Sequence, residues 1–146
     1  DVSPTSLERT ARLLDLLGHA GRVTLQQRDL LAPEGDDEAH GAFQSIVLSE
    51  VLEHLERPGE ALAHLRRLLS PGGTAWINVP GNAPTLDHIF LFRSLDEVVA
   101  LVRDAGLRVV ETDAFPAAGE PLPRAIKGEL PVSYVVVAER PRGVAG

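Results

Sequence analysis

The sequence predicts an α/β fold: a mostly parallel sheet flanked by helices and closed by an antiparallel pair of strands. Three observations carry this. Short apolar runs of strand length alternate with amphipathic runs of helical period, the pattern of strand–helix–strand units. Residues 43–49, FQSIVLS, are nearly continuously apolar, as a strand buried on both faces requires. Two strand-like runs, residues 107–112 and 132–138, then close the chain with no helix expected between them, which points to a hairpin at one edge of the sheet.

Each element has its own signal. Ser3 followed by Pro4 reads as an N-cap and a proline in the first helical turn. Leu7, Ala11, Leu14 and Leu17 then recur at helical spacing until Gly18 or Gly21 ends the run. Residues 23–27 form a short strand candidate, and residues 33–40 are acidic and loop-like. After the 43–49 strand, residues 50–55 begin a helical turn. Residues 58–69 place Ala61, Leu62, Leu65 and Leu69 on one helical face, and Ser70-Pro71-Gly72-Gly73 is expected to stop that helix. Residues 74–79 are the next strand and residues 82–92 a long loop of mixed aromatic and polar character. Ser94 and Glu97 are spaced as a capping box for a helix ending at Gly106. Residues 116–131 are a Pro/Gly-rich excursion before the last strand.

Composition bounds the function. At 146 residues and 44% hydrophobic, the chain has enough material for one domain, expected to span residues 1–146 with a core of about 1–115 and a C-terminal loop and edge strand over 116–140. Without cysteine, disulfides and thiolate metal sites are excluded, and a cytoplasmic setting is the default. There is no signal-peptide pattern and no apolar run of membrane-spanning length, so no membrane partner is expected. A net charge of −7 argues against a sequence-independent nucleic-acid surface. The chain contains no methionine and opens on Asp1, so it is expected to be a processed or truncated piece.

Four sequence words resemble class I S-adenosyl-L-methionine (SAM)-dependent methyltransferases of the type 11/12/23 kind. DVSPTSLERTAR resembles the end of their second strand and the helix after it, and RVTLQQRDLL their third strand. FQSIVLSEVLEHLERPGEALAHLRRLLSPGGTAWINVP resembles the fourth strand, helix and fifth strand. HIFLFRSLDEVVALVRDAGLRVVET resembles the following loop, helix and sixth strand. The resemblance covers most of residues 1–115 in order. It implies a Rossmann-like sheet lacking the family's first strand and its glycine-rich loop, with about five of seven strands present.

The resemblance also implies site residues, each with a plainer structural reading beside it. Asp1 stands where the family holds the cofactor's ribose hydroxyls. Asp29 would accept a hydrogen bond from the adenine amine, with Leu30 packing the ring; as a plainer role, Asp29 would cap a turn. Ser49 and Glu50 end a strand where the family places the methyl donor and acceptor, and Ser49 would equally serve as a helix N-cap.

Glu50, Glu53 and His54 fall at i, i+3 and i+4, on one side of a helical turn. His88, in the 82–92 loop, reaches the same mouth if that loop folds back on its Ile89, Phe90, Leu91 and Phe92. His54 or His88 is then a general base for a hydroxyl acceptor, since imidazole titrates near neutrality. The EVLEH and DHIF words are also similar to metal-binding words of small-RNA 3′-end 2′-O-methyltransferases. Glu50, Glu53, His54 and His88 would be the ligands in that reading, but no metal is the expectation preferred here.

The leading expectation is an enzyme using S-adenosyl-L-methionine on a small-molecule hydroxyl or amine. The alternatives are a metal-dependent RNA 2′-O-methyltransferase and a noncatalytic methyltransferase-like module. The two family strands expected to be missing are those that bridge the third and fourth, so the 43–49 strand would present an unpaired apolar edge unless residues 23–27 shift to pair with it or a partner chain, such as a second copy in a homodimer, covers it.

Overall fold

The computed structural model describes residues 1–32, 40–117 and 119–143. The chain divides into two compact units, Asp1–Glu34 and Gly35–Gly146. Most of the acidic run expected as a loop at residues 33–40 lies outside the described residues.

In the first unit, α1 spans Pro4–Leu16. The hydroxyl of Ser3 accepts from the Ser6 N–H at 3.2 Å, as the N-cap signal requires. Gly18, at φ 72°, supplies the left-handed residue beyond the helix end. A single 3₁₀ turn, Ala20–Arg22, follows. Residues 23–27 do not become a strand. The extended segment beside them in this unit is short: the Asp1 amino group donates to the Gln26 carbonyl at 3.3 Å, and the Arg28 N–H donates to the Asp1 carbonyl at 3.0 Å. Two such bonds give one rung of a parallel pair, too little for a ladder.

In the second unit, β1 (Phe43–Ser49) enters a four-stranded sheet with β2 (Leu69–Gly81), β4 (Val132–Glu139) and β3 (Arg108–Pro116), in the order β1-β2-β4-β3. β1 and β2 are parallel; β2 with β4 and β4 with β3 are antiparallel. This is the mixed α/β arrangement expected, with two differences at the C-terminal end. The last strand lies inside the sheet rather than at its edge, and β3 forms the edge. A helix, α4 (Leu122–Lys127), also sits between the closing strands, where none was expected. Its run, LPRAIK, is too short and proline-rich to stand out by periodicity.

α2 (Pro58–Leu68) buries Ala61, Leu62 and Leu65, and Leu69 continues the buried stripe into β2. The 70–73 run does not separate helix from strand; β2 runs through it. The register passes from Phe43↔Leu69 to Ser45↔Thr74, so three extra residues bulge on the β2 side. Gly72, at φ 81°, fits that bulge, and the Arg140 backbone clamps it: Gly72 N–H donates to the Arg140 carbonyl and Arg140 N–H to the Gly73 carbonyl, both at 2.9 Å. The Arg140 guanidinium also donates to the carbonyls of Arg67 and Leu69, which close α2.

The core lies on one face of the sheet. Ala75, Ile77 and Val79 of β2, Val136 and Ala138 of β4, and Val98 and Val102 of α3 (Leu95–Asp104) are fully buried. The opposite face is more open: Val47 is 70% exposed and Trp76 39% exposed. β1 is therefore not the doubly buried strand its composition suggested; of its residues only Leu48 is buried. Among the described residues β1 pairs with β2 alone. α3 begins on the predicted cap: the Ser94 hydroxyl accepts from Glu97 N–H at 3.2 Å. The Glu97 carboxylate in turn accepts from Arg93 N–H at 2.8 Å, one residue earlier than in a strict capping box.

Two glycines make opposite predictions. A Cβ at Gly81 would lie 2.0 Å from a ring carbon of buried Tyr134, so Gly81→Ala should cost about 1–3 kcal/mol through overpacking. A Cβ at Gly59, inside α2, would make an ordinary 3.6 Å contact with Leu101, so Gly59→Ala should stabilise by roughly 0.5–1 kcal/mol. Urea denaturation of both variants reads the two signs directly.

Candidate active site

The carboxyl ends of β1 and β2 lie side by side, with Ser49 opposite Asn78. What leaves those ends determines the site. Ser49 caps no helix: its hydroxyl donates to the Asn78 side-chain oxygen at 3.1 Å. Asn78 is buried, and its amide nitrogen donates to the Ser133 hydroxyl and to the Tyr134 carbonyl, so three strands are cross-linked at this level. Sequence reasoning passed over Asn78. Its one signal was a polar residue inside the otherwise apolar run AWINVP.

Glu50 is bent into the left-handed region at φ 52°, with its N–H held by the Asn78 carbonyl at 3.0 Å. A non-glycine residue there is strained, and such strain gathers where the chain must turn sharply beside a site. The bend has a consequence for the expected i, i+3, i+4 grouping. Helical geometry starts only at Leu52, as a 3₁₀ turn over Leu52–His54, so Glu50 is not on the turn that carries Glu53 and His54.

His88 does reach that turn. The loop after β2 folds back and is fastened by the Glu53 carbonyl, which accepts from Ile89 N–H at 2.8 Å and Phe90 N–H at 2.9 Å. Asn82 N–H donates to the Phe92 carbonyl at 2.9 Å, and the Phe92 side chain is fully buried. Of the four apolar residues expected to dock the loop, Phe92 is the anchor, while Ile89 remains 61% exposed. Phe90 and Phe92 lean on each other with ring centroids 5.3 Å apart.

The imidazoles of His54 and His88 meet edge to face at a centroid distance of 5.1 Å. Their tautomers follow from their partners. His54 Nδ1 lies 2.8 Å from the Asp87 carbonyl oxygen, and His88 Nδ1 lies 2.7 Å from the Ala83 carbonyl oxygen. A carbonyl only accepts, so each Nδ1 carries the proton and each neutral ring keeps its lone pair on Nε2. The Asp87 carboxylate sits 3.7 Å from the same His54 nitrogen. It is held below the usual carboxylate range, first by the Thr85 hydroxyl at 2.6 Å and then by its own backbone.

Glu53 completes the group. Its side chain is fully buried, and neither carboxylate oxygen has a hydrogen-bond partner. Burial raises its pKa above the ordinary value and Glu50 adds to the rise, while its own backbone and the two histidines oppose it. Its Oε1 lies 3.6 Å from His54 Nε2. Ligand atoms of Glu53, His54 and His88 all fall within 4.8 Å of one another, and Glu50 is not among them.

The expected nucleoside contacts of the first unit are ordered by their own turns. One oxygen of the Asp1 carboxylate accepts from Ser3 N–H at 2.8 Å. One oxygen of Asp29 accepts from Leu31 N–H, also at 2.8 Å, so the turn-capping role is present. Leu30 is half-buried at the head of that turn. Two carboxylates held by their own turns are acceptors of the kind that hydroxyl and amine hydrogens require, so their chemistry fits the polar parts of a nucleoside.

A methyltransferase domain family matches residues 1–75. No curated protein matches the chain. Among solved structures, the [4+2]-cyclase SpnF is 14% identical with a TM-score of 0.76, over 97% of this chain and 65% of that one. Geranyl diphosphate methyltransferase in complex with SAM is 12% identical with a TM-score of 0.72, over 95% and 66%. The 1,6-didemethyltoxoflavin-N1-methyltransferase of Burkholderia thailandensis is 20% identical with a TM-score of 0.65, over 90% and 56%. The chain thus spans about two-thirds or less of the length of these three structures. Among the described residues no helix is long and apolar enough to cross a membrane.

Replacing Glu53 tests the electrostatic reading. Glu53→Gln removes a buried carboxylate that has no hydrogen-bond partner. In chelator at neutral pH the variant should be more stable than the parent by about 1–3 kcal/mol, measured by denaturant unfolding.

Proposed function

The chain belongs to the methyltransferase domain family, and from that premise we propose that it is part of a SAM-dependent methyltransferase acting on a small-molecule hydroxyl or amine. One observation carries the reading: two imidazoles, each with its Nδ1 proton committed to a carbonyl, stand together past the carboxyl ends of two parallel strands. Sheets of this kind bind their ligands past those ends.

The roles follow from the residues. In the first unit, Asp1 would accept from ribose hydroxyls and Asp29 from the adenine amine, with Leu30 against the ring. In the second, Ser49 and Glu50 would line the reacting end. When bound, SAM supplies an electrophilic methyl group on a sulfonium. His54 or His88 would take the acceptor's proton on Nε2, and the fixed Nδ1 contacts hold each ring in the tautomer that allows it. The rest of the contribution is positioning, which the loop over residues 82–92 provides by its bonds to Glu53.

Two alternatives are weaker. An RNA 2′-O-methyltransferase would call on Glu50 as a fourth metal ligand, and Glu50 stands apart from the other three; the net charge of −7 also disfavours an RNA surface. A module that does not transfer methyl groups has one observation in its favour, since a cyclase shares the fold.

The full-length protein should bind SAM in calorimetry, and Asp29→Ala should weaken binding by about 1.5–3 kcal/mol, the worth of a hydrogen bond to a charged group. With radiolabelled SAM, label should move to small phenols, alcohols or amines and not to RNA 3′ ends. One of His54→Ala and His88→Ala should then lower the rate by roughly 10²–10⁴-fold. SAM binding with no rate change in either variant would leave both histidines as packing.

A further inference from the structure

The second unit holds three groups whose lone pairs have no protein donor. Both Nδ1 protons of His54 and His88 are used on carbonyls, so the nitrogen each ring has left is an acceptor. Glu53 adds two buried oxygens with no hydrogen-bond partner. Acceptors alone cannot satisfy one another, and burying a carboxylate without a partner is costly. A donor or a cation must therefore be shared among them: a proton held by a histidine or by Glu53, a water molecule, or a metal ion.

The geometry points to a metal ion. We propose that Glu53, His54 and His88 form a site for a divalent transition-metal ion. The ligand atoms already lie within 4.8 Å of one another without any change of fold. Each imidazole donates its other ring N–H to a backbone carbonyl, the arrangement that orients metal-ligating histidines and strengthens them as ligands. One carboxylate and two imidazoles suit zinc, iron, manganese or cobalt, whereas magnesium and calcium prefer all-oxygen sets. Three protein ligands leave coordination positions open, and the His54 side chain, 38% exposed, borders solvent on that side. Water or an oxygen donor of the acceptor would fill them.

The ligands are held in place from both ends of the chain segment that bears them. Glu53 and His54 are adjacent on one 3₁₀ turn, and the Glu53 carbonyl carries the loop that presents His88. The inference uses the same turn and loop as the proposed function, but its test needs neither acceptor nor methyl transfer.

The full-length protein, stripped with chelator, is titrated with Co²⁺ followed by visible absorption and with Zn²⁺ by calorimetry. One equivalent should bind per chain, and Mg²⁺ should not compete. Glu53→Gln and His88→Ala should each weaken Zn²⁺ binding at least ~10-fold, with His54→Ala as the third arm. His19→Ala and His64→Ala, which lie outside the cluster, should not. Zn²⁺ should raise the melting temperature of the parent protein and leave that of Glu53→Gln unchanged. Glu53→Gln loses a buried charge and keeps its size, so it remains informative if a histidine variant folds poorly.

Absence of one-equivalent binding, equal binding in Glu53→Gln and His88→Ala, or equal competition by Mg²⁺ would each overturn the assignment. The shared species would then be a proton or a water molecule. SAM binding by the same preparation is read separately, so failure of the metal site is distinguishable from failure of the methyltransferase reading.

Discussion

The Glu53 carbonyl oxygen accepts two backbone hydrogen bonds from a loop more than thirty residues away, and the second unit's site depends on that fact. A carbonyl has two lone pairs, and here both go to consecutive N–H groups of Ile89 and Phe90. The turn after β1 and the loop after β2 thereby become one body. Without that fork, the loop that carries His88 would be joined to the turn chiefly by the His54 contact to the Asp87 carbonyl and by the buried Phe92. The side chain of the same residue faces the cluster the fork creates, so Glu53 holds the site together with its backbone and charges it with its carboxylate.

The left-handed bend at Glu50 makes that arrangement possible. A helix starting directly at the end of β1 would have run on through Leu55 and put Glu50 on the same face as Glu53 and His54. The chain instead spends two residues, Glu50 and Val51, turning. The short 3₁₀ turn that follows points Leu52 into the core and Glu53 under the returning loop. Strain at one residue is exchanged for two fixed positions after it, and the Asn78 carbonyl, by binding Glu50 N–H, holds the strained residue against relaxation.

Much of this was legible from residue order, and the parts that were not share a cause. Ser3, Gly18, Ser94 and Gly106 announced helix ends through local chemistry, because a cap is satisfied by neighbours in sequence. The 70–73 run misled because proline and glycine mark a helix stop and a strand bulge alike; the choice was made by Arg140, seventy residues away. Residues 23–27 looked like a strand and gained only one rung beside Asp1, because a strand depends on a neighbour long enough to pair with and not on β-propensity alone. The burial of β1 was overestimated for the same reason: an apolar run states what a strand can bury, and Val47 has little to bury it against. In the site, the meeting of His54 and His88 was readable from the loop's apolar residues, whereas the exclusion of Glu50 turned on one backbone angle.

The tautomers of the two histidines bind these threads into a single question of charge. Had either ring turned its Nδ1 to the cluster and its Nε2 to a carbonyl, the count of acceptors would have been the same, since one proton per neutral ring goes to a carbonyl in either case. The excess of lone pairs is therefore a property of the composition of this corner: two carbonyl-bound imidazoles and one buried carboxylate. It follows that no side-chain rotation within the corner relieves the imbalance; only an added donor or cation does. A proton and a metal ion both answer that need, but they differ in what they leave for chemistry. A shared proton occupies the very lone pair a general base needs, and leaves at most one imidazole free to act. A metal ion occupies all three groups and passes the positive charge outward to whatever oxygen completes its shell. The same three residues thus support a base or an electrophilic centre, but not both at once, and which of the two operates decides whether His54 and His88 act on the acceptor directly or through what they hold.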